Sequence, residues 1–497
     1  MTSTAQKKQP VRVMIALLTP LFAALLSISS VMVAIPAIEV GLDADSSALQ
    51  WVLSGYALAF GIALVPAGRA GDLWGRRGLY FTGVVAFGLT SLLAAVAVDP
   101  LMLNVARVLM GLGAGVLMPQ IIGMIQELFE GPERGRAYGL MSTVIGLAVA
   151  TGPLIGGFFV DLTPENIGWR LTFLVNVPIA VVVLVVALLW LPRPDPAPAH
   201  QASPRARSAR ELLRLDPVGL VLLSAGIVLV MLPFIQFRNL LGAALAAAGL
   251  LVLAGWTWWE KWLRNRDPDA PMVDLRLFTL PSYVLNSAVL SLYFTAMPPI
   301  WAMLTIYLQQ GLGHGALLAG AMTLPSAAMI LLFSAQVGKH TPRLGPKFLV
   351  AGTCISIFST LGIGASVWLM STDYGSLWWL GIVLGLNGLS QALIIPAAQT
   401  LSMQDVPAHM AGAAGGVAQT AQRIFTAMGL AFVTGIYFAV LAGSSHETAM
   451  MVSSAVISLM MTASLATALL AARRARQARR AHQQSDAEPE RALSAGE

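Results

Sequence analysis

Apolar residues in this chain come in long unbroken runs, separated by short stretches rich in Gly, Pro, Arg and Asp. Fourteen runs stand out, at 13–36, 50–67, 79–98, 101–125, 138–160, 170–191, 217–236, 240–259, 283–308, 316–337, 347–370, 376–400, 412–442 and 448–471. A helix crosses a bilayer with about 20 mostly apolar residues, so each run predicts one transmembrane helix. Strands are excluded because the runs are continuous instead of alternating, and an open sheet edge has no partner in lipid. The first run is too long for the apolar part of a cleaved leader, and Pro36-Ala37-Ile38-Glu39 is a poor cleavage site. The predicted fold class is all-α and integral to the membrane, with fourteen spans.

The polar interruptions divide these spans unevenly. The longest, 192–216, follows six spans; a second, 260–282, leaves two spans between the interruptions and six after them. The expected organisation is a six-helix bundle (1–191), a linker (192–216), two extra central helices (217–259), a second linker (260–282), a second six-helix bundle (283–471) and a disordered tail (472–497).

Composition removes the soluble alternative. Of 497 residues, 57% are hydrophobic and 11% charged, against roughly 25% charged in soluble domains. The net charge of +6 raises nucleic acid as a partner, and the positions of the bases answer it. With the N-terminus in the cytoplasm, 26 of the 30 Lys and Arg residues fall on that side, as the positive-inside rule requires. They are topology signals and contacts for anionic lipid, with no aromatic platform for bases beside them. Both termini are expected in the cytoplasm, and the abundance of Ala and of Arg over Lys points to a bacterial inner (plasma) membrane. Cys354 is the single cysteine, which excludes internal disulfides and a cysteine metal cluster. No metal and no cofactor is expected, and the chain is read as a monomer.

A repeat links the two six-span units. Gly68-Arg-Ala-Gly-Asp72-Leu-Trp-Gly75-Arg76-Arg77 follows span 2, and Gly338-Lys-His-Thr-Pro342-Arg-Leu-Gly345-Pro-Lys347 occupies the equivalent place after span 10. Transporter folds are often built from such repeats. The glycines permit a tight turn, and Asp72 is placed to meet a helix N-terminus or a neighbouring arginine. Span 5 carries Gly152-Pro153-Leu-Ile-Gly156-Gly157, which predicts a bent, closely packed helix. Span 4 presents Arg107 followed by Gly111, Gly113 and Gly115. Span 6 opens with Trp169-Arg170-Leu-Thr-Phe173-Leu-Val-Asn176-Val-Pro178.

These four motifs, in order and on the matching spans, resemble the major facilitator superfamily, specifically its fourteen-helix drug:proton antiporter branch. The resemblance runs from about Val13 to Ala471. It implies two six-helix bundles that rock about a central site, with the two extra spans as that branch's central pair. It also implies export of small amphipathic molecules, multidrug efflux among them, coupled to protons through an aspartate in span 1. Here the chain departs from the pattern: Ser27 stands where that acid would be, and a serine does not titrate near neutral pH. None of the 24 acidic residues lies near the middle of a span; Glu39 and Asp161, at outer ends, are the candidate titrating groups.

Two arginines within spans remain, Arg107 and Arg423. A buried arginine costs about 2.5–3.5 kcal/mol on insertion scales, so each should face a partner or a cavity. One expectation is structural, with the guanidinium bonded to helix carbonyls or Arg107 reaching out to Glu39. The other is an electropositive centre for an anionic substrate, flanked by Asn286, Asn387, Gln391, Gln399, Gln419 and Gln422, in a cavity for small amphipathic molecules lined by Tyr56, Phe60, Tyr293, Phe294, Met297 and Trp301. An enzyme is not expected, for want of an intramembrane His, Asp or Glu constellation or a nucleotide-binding loop. The alternatives to drug export are a flippase for lipid or cell-envelope precursors and a non-transporting sensor or scaffold.

Overall fold

The computed structural model describes residues 10–192, 216–236, 240–267, 270–372 and 376–494, and their regular structure is helical throughout. Residues 193–215 with their five arginines, and Arg238, lie outside the described residues. The first unit comprises α1 (Pro10–Leu42), α2 (Ser46–Trp74), α3 (Arg76–Ala95), α4 (Pro100–Leu128), α5 (Gly131–Leu162), α6 (Glu165–Leu174) and α7 (Asn176–Trp190). A hairpin of α8 (Pro217–Gln236) and α9 (Leu240–Arg266) follows. The second unit holds α10 (Pro281–Ile306), α11 (Ala316–Ala321), α12 (Leu324–Met370), α13 (Leu377–Met403), α14 (Ala411–Leu441) and α15 (His446–Ser494).

The boundaries follow from local chemistry. Asp45 accepts the Ala48 N–H at 2.7 Å and starts α2; Asp99 accepts the Met102 N–H at 2.8 Å and starts α4, with Pro100 in the first turn. Both acids thereby satisfy orphan helix donors at one end of the molecule. Gly75 alone separates α2 from α3, at φ 95°, a conformation that an L side chain resists. Pro178 lacks the N–H that would bond Leu174, so the sixth span breaks at Val175 into α6 and α7.

The count of separate helices differs from fourteen. Twelve helices of the described residues are long and apolar enough to cross a membrane. Spans 10 and 11 run as one helix, α12, of 47 residues. It doubles back: Gly388 on α13 lies against Ser326 near its start, and Ile394, one and a half turns further along α13, lies against Gly352 near its middle. Pro342 and Pro346 sit between the two limbs. Span 7 is α8, whose 20 residues are about the length that a bilayer needs. The tail expected to be disordered continues α15 as helix to Ser494; its Ala, Arg, Gln and Glu residues are strong helix formers.

Buried apolar side chains form two clusters. One runs from Val13 through Tyr283, takes in the α8–α9 hairpin and reaches Met403, Val406, Ala414 and Ala418 of the second unit; the other runs from Val289 to Ala468. The two units meet along two seams, both towards the end that carries the α2–α3 turn, hereafter the basic end. In the first, α2 meets α14, with Gly68 against the Gly412 carbonyl and Thr420 donating to the Gly61 carbonyl at 3.3 Å. In the second, α5 meets the first limb of α12, with Gly135 against the Gly338 carbonyl and Gly139 against that of Ser334. Gly68 and Gly338 are the leading glycines of the two sequence repeats, and each faces a glycine of the other unit so closely that a Cβ would enter backbone.

Candidate functional site

Glycines on α4 set up the centre of the molecule. Gly111 and Gly115 let α4 lie against the backbone of Tyr56 and Phe60 on α2; a Cβ at Gly115 would sit 2.7 Å from the Phe60 carbonyl. Tyr56 and Phe60, one turn apart, stack at 6.2 Å. Arg107, fully buried on the same α4, donates from Nε to the Val52 carbonyl at 2.8 Å and from Nη1 to Ser27 Oγ at 3.4 Å. Its guanidinium lies over the Tyr56 ring at 4.4 Å and near Phe173 at 5.8 Å. From the other unit, the half-buried Arg423 lies over the Phe60 ring at 4.7 Å, and its Nε has no hydrogen-bond partner.

The result is a row across the boundary between the units: Ser27, Arg107, Tyr56, Phe60, Arg423. Two guanidinium groups face one aromatic pair, and no carboxylate among the described residues forms an ion pair with either. A cation over an aromatic face gains about 0.5–2 kcal/mol, which offsets only part of the cost of holding arginine in a span. The row is therefore a place where negative charge is favoured. Arg107 is not turned outward: Glu39 is exposed at the far end of α1, and Arg107 is spent on Val52 and Ser27.

The other residues distribute unevenly. Gln419 and Gln422 share α14 with Arg423, Gln419 one turn before it, and both are buried. Gln391 is half-buried on α13, while Asn286, also buried, donates to the Ser282 carbonyl at 2.7 Å on its own helix. Tyr293 is enclosed in the second unit's apolar cluster. Asp161 lies on the last turn of α5. Gly152 and Gly156 pack α5 onto Ser29 and Ser30 of α1, where Ser29 also donates to the Ala148 carbonyl at 3.0 Å; Gly157 faces open space apart from Val33. The motif with Pro153 thus joins two helices of the first unit and does not enter the row.

The α2–α3 turn does chemistry of its own. Asp72 accepts the backbone N–H groups of Gly412 and Ala413 at 3.1 and 3.0 Å, capping α14 from the opposite unit. Arg76 binds Asp72 at 2.8 Å, Glu127 at 2.9 Å and the Ala408 carbonyl. Arg77 donates to the Pro192 carbonyl at 3.2 Å. Gln126 adds a bond to the Met403 carbonyl at 2.7 Å. Sequence reading pairs Asp72 with a helix end or an arginine but does not find Glu127, Gln126 or the Ala408 carbonyl, which meet only in the fold. At the opposite end, Arg170 donates to the carbonyls of Ala95 and Ala97 at 2.9 and 2.6 Å, so the Trp169–Pro178 motif ties α6 to the end of α3.

Comparison with known proteins gives this architecture a family. The Major Facilitator Superfamily profile matches residues 17–430. The chain is 32% identical to a probable actinorhodin transporter of Streptomyces coelicolor over 419 residues, covering 82% of this chain and 69% of that one. It is 32% identical to a cephamycin export protein of Amycolatopsis lactamdurans over 440 residues, covering 86% and 85%. In fold it is similar to the human organic anion transporter MFSD10 at a TM-score of 0.63 and 14% identity, covering 93% of this chain and 100% of the other. On the extent of the profile match and the coverage of these relatives, the chain belongs to the Major Facilitator Superfamily and is a multi-pass membrane transporter, not an enzyme.

Proposed function

We propose that this protein exports small amphipathic compounds, anionic ones among them, from the cytoplasm across a bacterial plasma membrane by alternating access. The observation that carries the reading is the row Arg107–Tyr56–Phe60–Arg423: two guanidinium groups on one aromatic pair, with no carboxylate partner, where the two units meet. Arg423, with a free Nε, is the group left to meet substrate; Arg107 holds the floor of the site. The export name of the Amycolatopsis relative supports the direction of transport. With the basic end in the cytoplasm, Asp72 and Arg76 close the seam on that side, and rocking of the units must release them.

The driving force follows from the same chemistry. A proton antiporter needs a group that binds and releases a proton at the central site, and Ser27 does neither. An inside-negative potential gives an outgoing anion about 2.3 kcal/mol per charge per 100 mV, roughly fiftyfold accumulation without any proton. Proteoliposomes loaded with candidate aromatic acids, with pH gradient and potential imposed separately, test this. Efflux should follow the potential and survive collapse of the pH gradient. Efflux that follows the pH gradient alone would overturn it, and lipid movement without solute efflux would favour the flippase.

A further inference from the structure

Two acidic side chains that sequence reading leaves among the loop residues are buried together in the α8–α9 hairpin. Asp216, just before α8, is 3% exposed, and Glu260, near the end of α9, is fully enclosed. Asp216 accepts the Gly219 N–H and the Trp259 indole N–H, each at 3.0 Å. Glu260 accepts the Val273 N–H through Oε2 at 3.4 Å, but its Oε1 has no donor. That orphan oxygen points at Asp216: a Cβ on Gly219 would touch Asp216 Oδ2 and lie 3.1 Å from Glu260 Oε1. The buried Trp256 lies beside them with its indole N–H close to the Glu260 carboxylate.

No cation among the described residues answers the two carboxyl groups. Arg264 and Arg276 pair with Asp274 at 3.8 and 3.4 Å, and Arg266 lies over the Trp262 ring. The other charged groups on the packed elements are Lys261 and Asp267 after α9's apolar part, Arg69 and Asp72 on α2, and Arg423 on α14. Glu260 is removed from water first and faces the charge of Asp216 second, and each disfavours a second charge in one buried site.

We propose that Glu260 holds a proton against the neighbouring Asp216 carboxylate, making the α8–α9 hairpin a proton-binding site that leans on the seam between the units. The position gives the site leverage. Helix α8 packs against both α2 and α14, with Met231 facing Gly61, so it spans the outside of the Gly68–Gly412 seam. The Glu260–Val273 bond ties α9 to the buried segment Met272–Val273, which leads into α10. Loss of the proton leaves two facing carboxylates and pushes apart the two limbs of the hairpin, one of which packs against both helices of the seam.

The test uses the full chain in detergent. A carboxylic acid bound to a proton only in the folded state loses stability as pH rises through its folded-state titration. Wild-type thermal stability should therefore fall from mildly acidic to alkaline pH, while Glu260→Gln removes that fall and is the more stable protein at the alkaline end. In the infrared, a deuterium-sensitive protonated-carboxyl band should be present in wild type at neutral pH and lost in Glu260→Gln. In Asp216→Asn the band should remain but disappear at a lower pH than in wild type, which serves if Glu260→Gln does not fold. Identical pH profiles for wild type and Glu260→Gln, or no such band at neutral pH, would overturn the proposal. So would a profile that moves with added Na⁺ or Mg²⁺ at fixed pH, or one that moves on Arg214→Gln, since a cation would then neutralise the pair.

Discussion

Arg423 and Arg107 share a chemistry and differ in what surrounds them. Arg107 is enclosed and bonded to Val52 and Ser27; Arg423 is half-buried, with a stacked face and a free Nε. Arg423→Gln is thus expected to abolish transport of an acidic substrate in vesicles while the thermal unfolding profile stays that of the wild type; unchanged transport would refute the anion site. Ser27→Asp should act in the opposite sense, placing a carboxylate against Arg107. A hydrogen bond to a charged group contributes about 1.5–3 kcal/mol, so the variant should gain thermal stability at neutral pH, and adding Arg107→Gln should remove the gain. At this scale the sequence is informative for residues whose cost is visible in isolation, such as an arginine inside an apolar run. It is silent where the meaning lies in a meeting. Glu260, amid Trp256, Trp258, Trp259 and Trp262, reads as an interfacial acid until the fold sets it against Asp216, 44 residues earlier.

Helices of this chain are legible because each apolar run exceeds a bilayer's thickness, and every predicted run lies on helix in the structure. What the runs do not specify is how consecutive helices join. The turn between spans 10 and 11 contains Pro342, Gly345 and Pro346 and reads as a loop, yet the backbone stays helical while the two limbs fold back on α13. Helix-end chemistry supplies a prediction. Asp72 caps α14 from the other unit, and loss of such a cap costs about 0.5–2 kcal/mol. Asp72→Ala should lower the closed-to-open ratio at the basic end by roughly two- to thirtyfold. Faster labelling of Thr420→Cys in a Cys354→Ser background reads that out, and an unaltered rate would count against the latch.

For the molecule as a whole, the two seams are what the rocking motion must part. Gly338→Val forces a side chain into the Gly135 carbonyl, and overpacking costs typically about 1–3 kcal/mol. A lower unfolding temperature or a bias towards the open form is expected, while Gly435→Ala, where nothing lies within 4 Å, serves as a neutral control. The repeat from Gly68 and Gly338 is visible in sequence, but only the fold reveals that each repeat glycine has a glycine opposite. The family, the bundle pairing and the loop motif all follow from the linear pattern; the partners across the seams do not, because they are set by the docking of segments about 200 to 360 residues apart.

The seams are alike in backbone and unlike in bonding. Gly68–Gly412 is fastened by the carboxylate of Asp72 and the guanidinium of Arg76, whereas the equivalent of Asp72 at Gly135–Gly338 is Pro342, which brings no charged side chain. The repeat thus left one edge fastened by charge and another whose matching position carries none. Removing that charge should soften the first edge and leave the second in place, so the protein would open as a book does, along one margin, with its spine on α5 and α12.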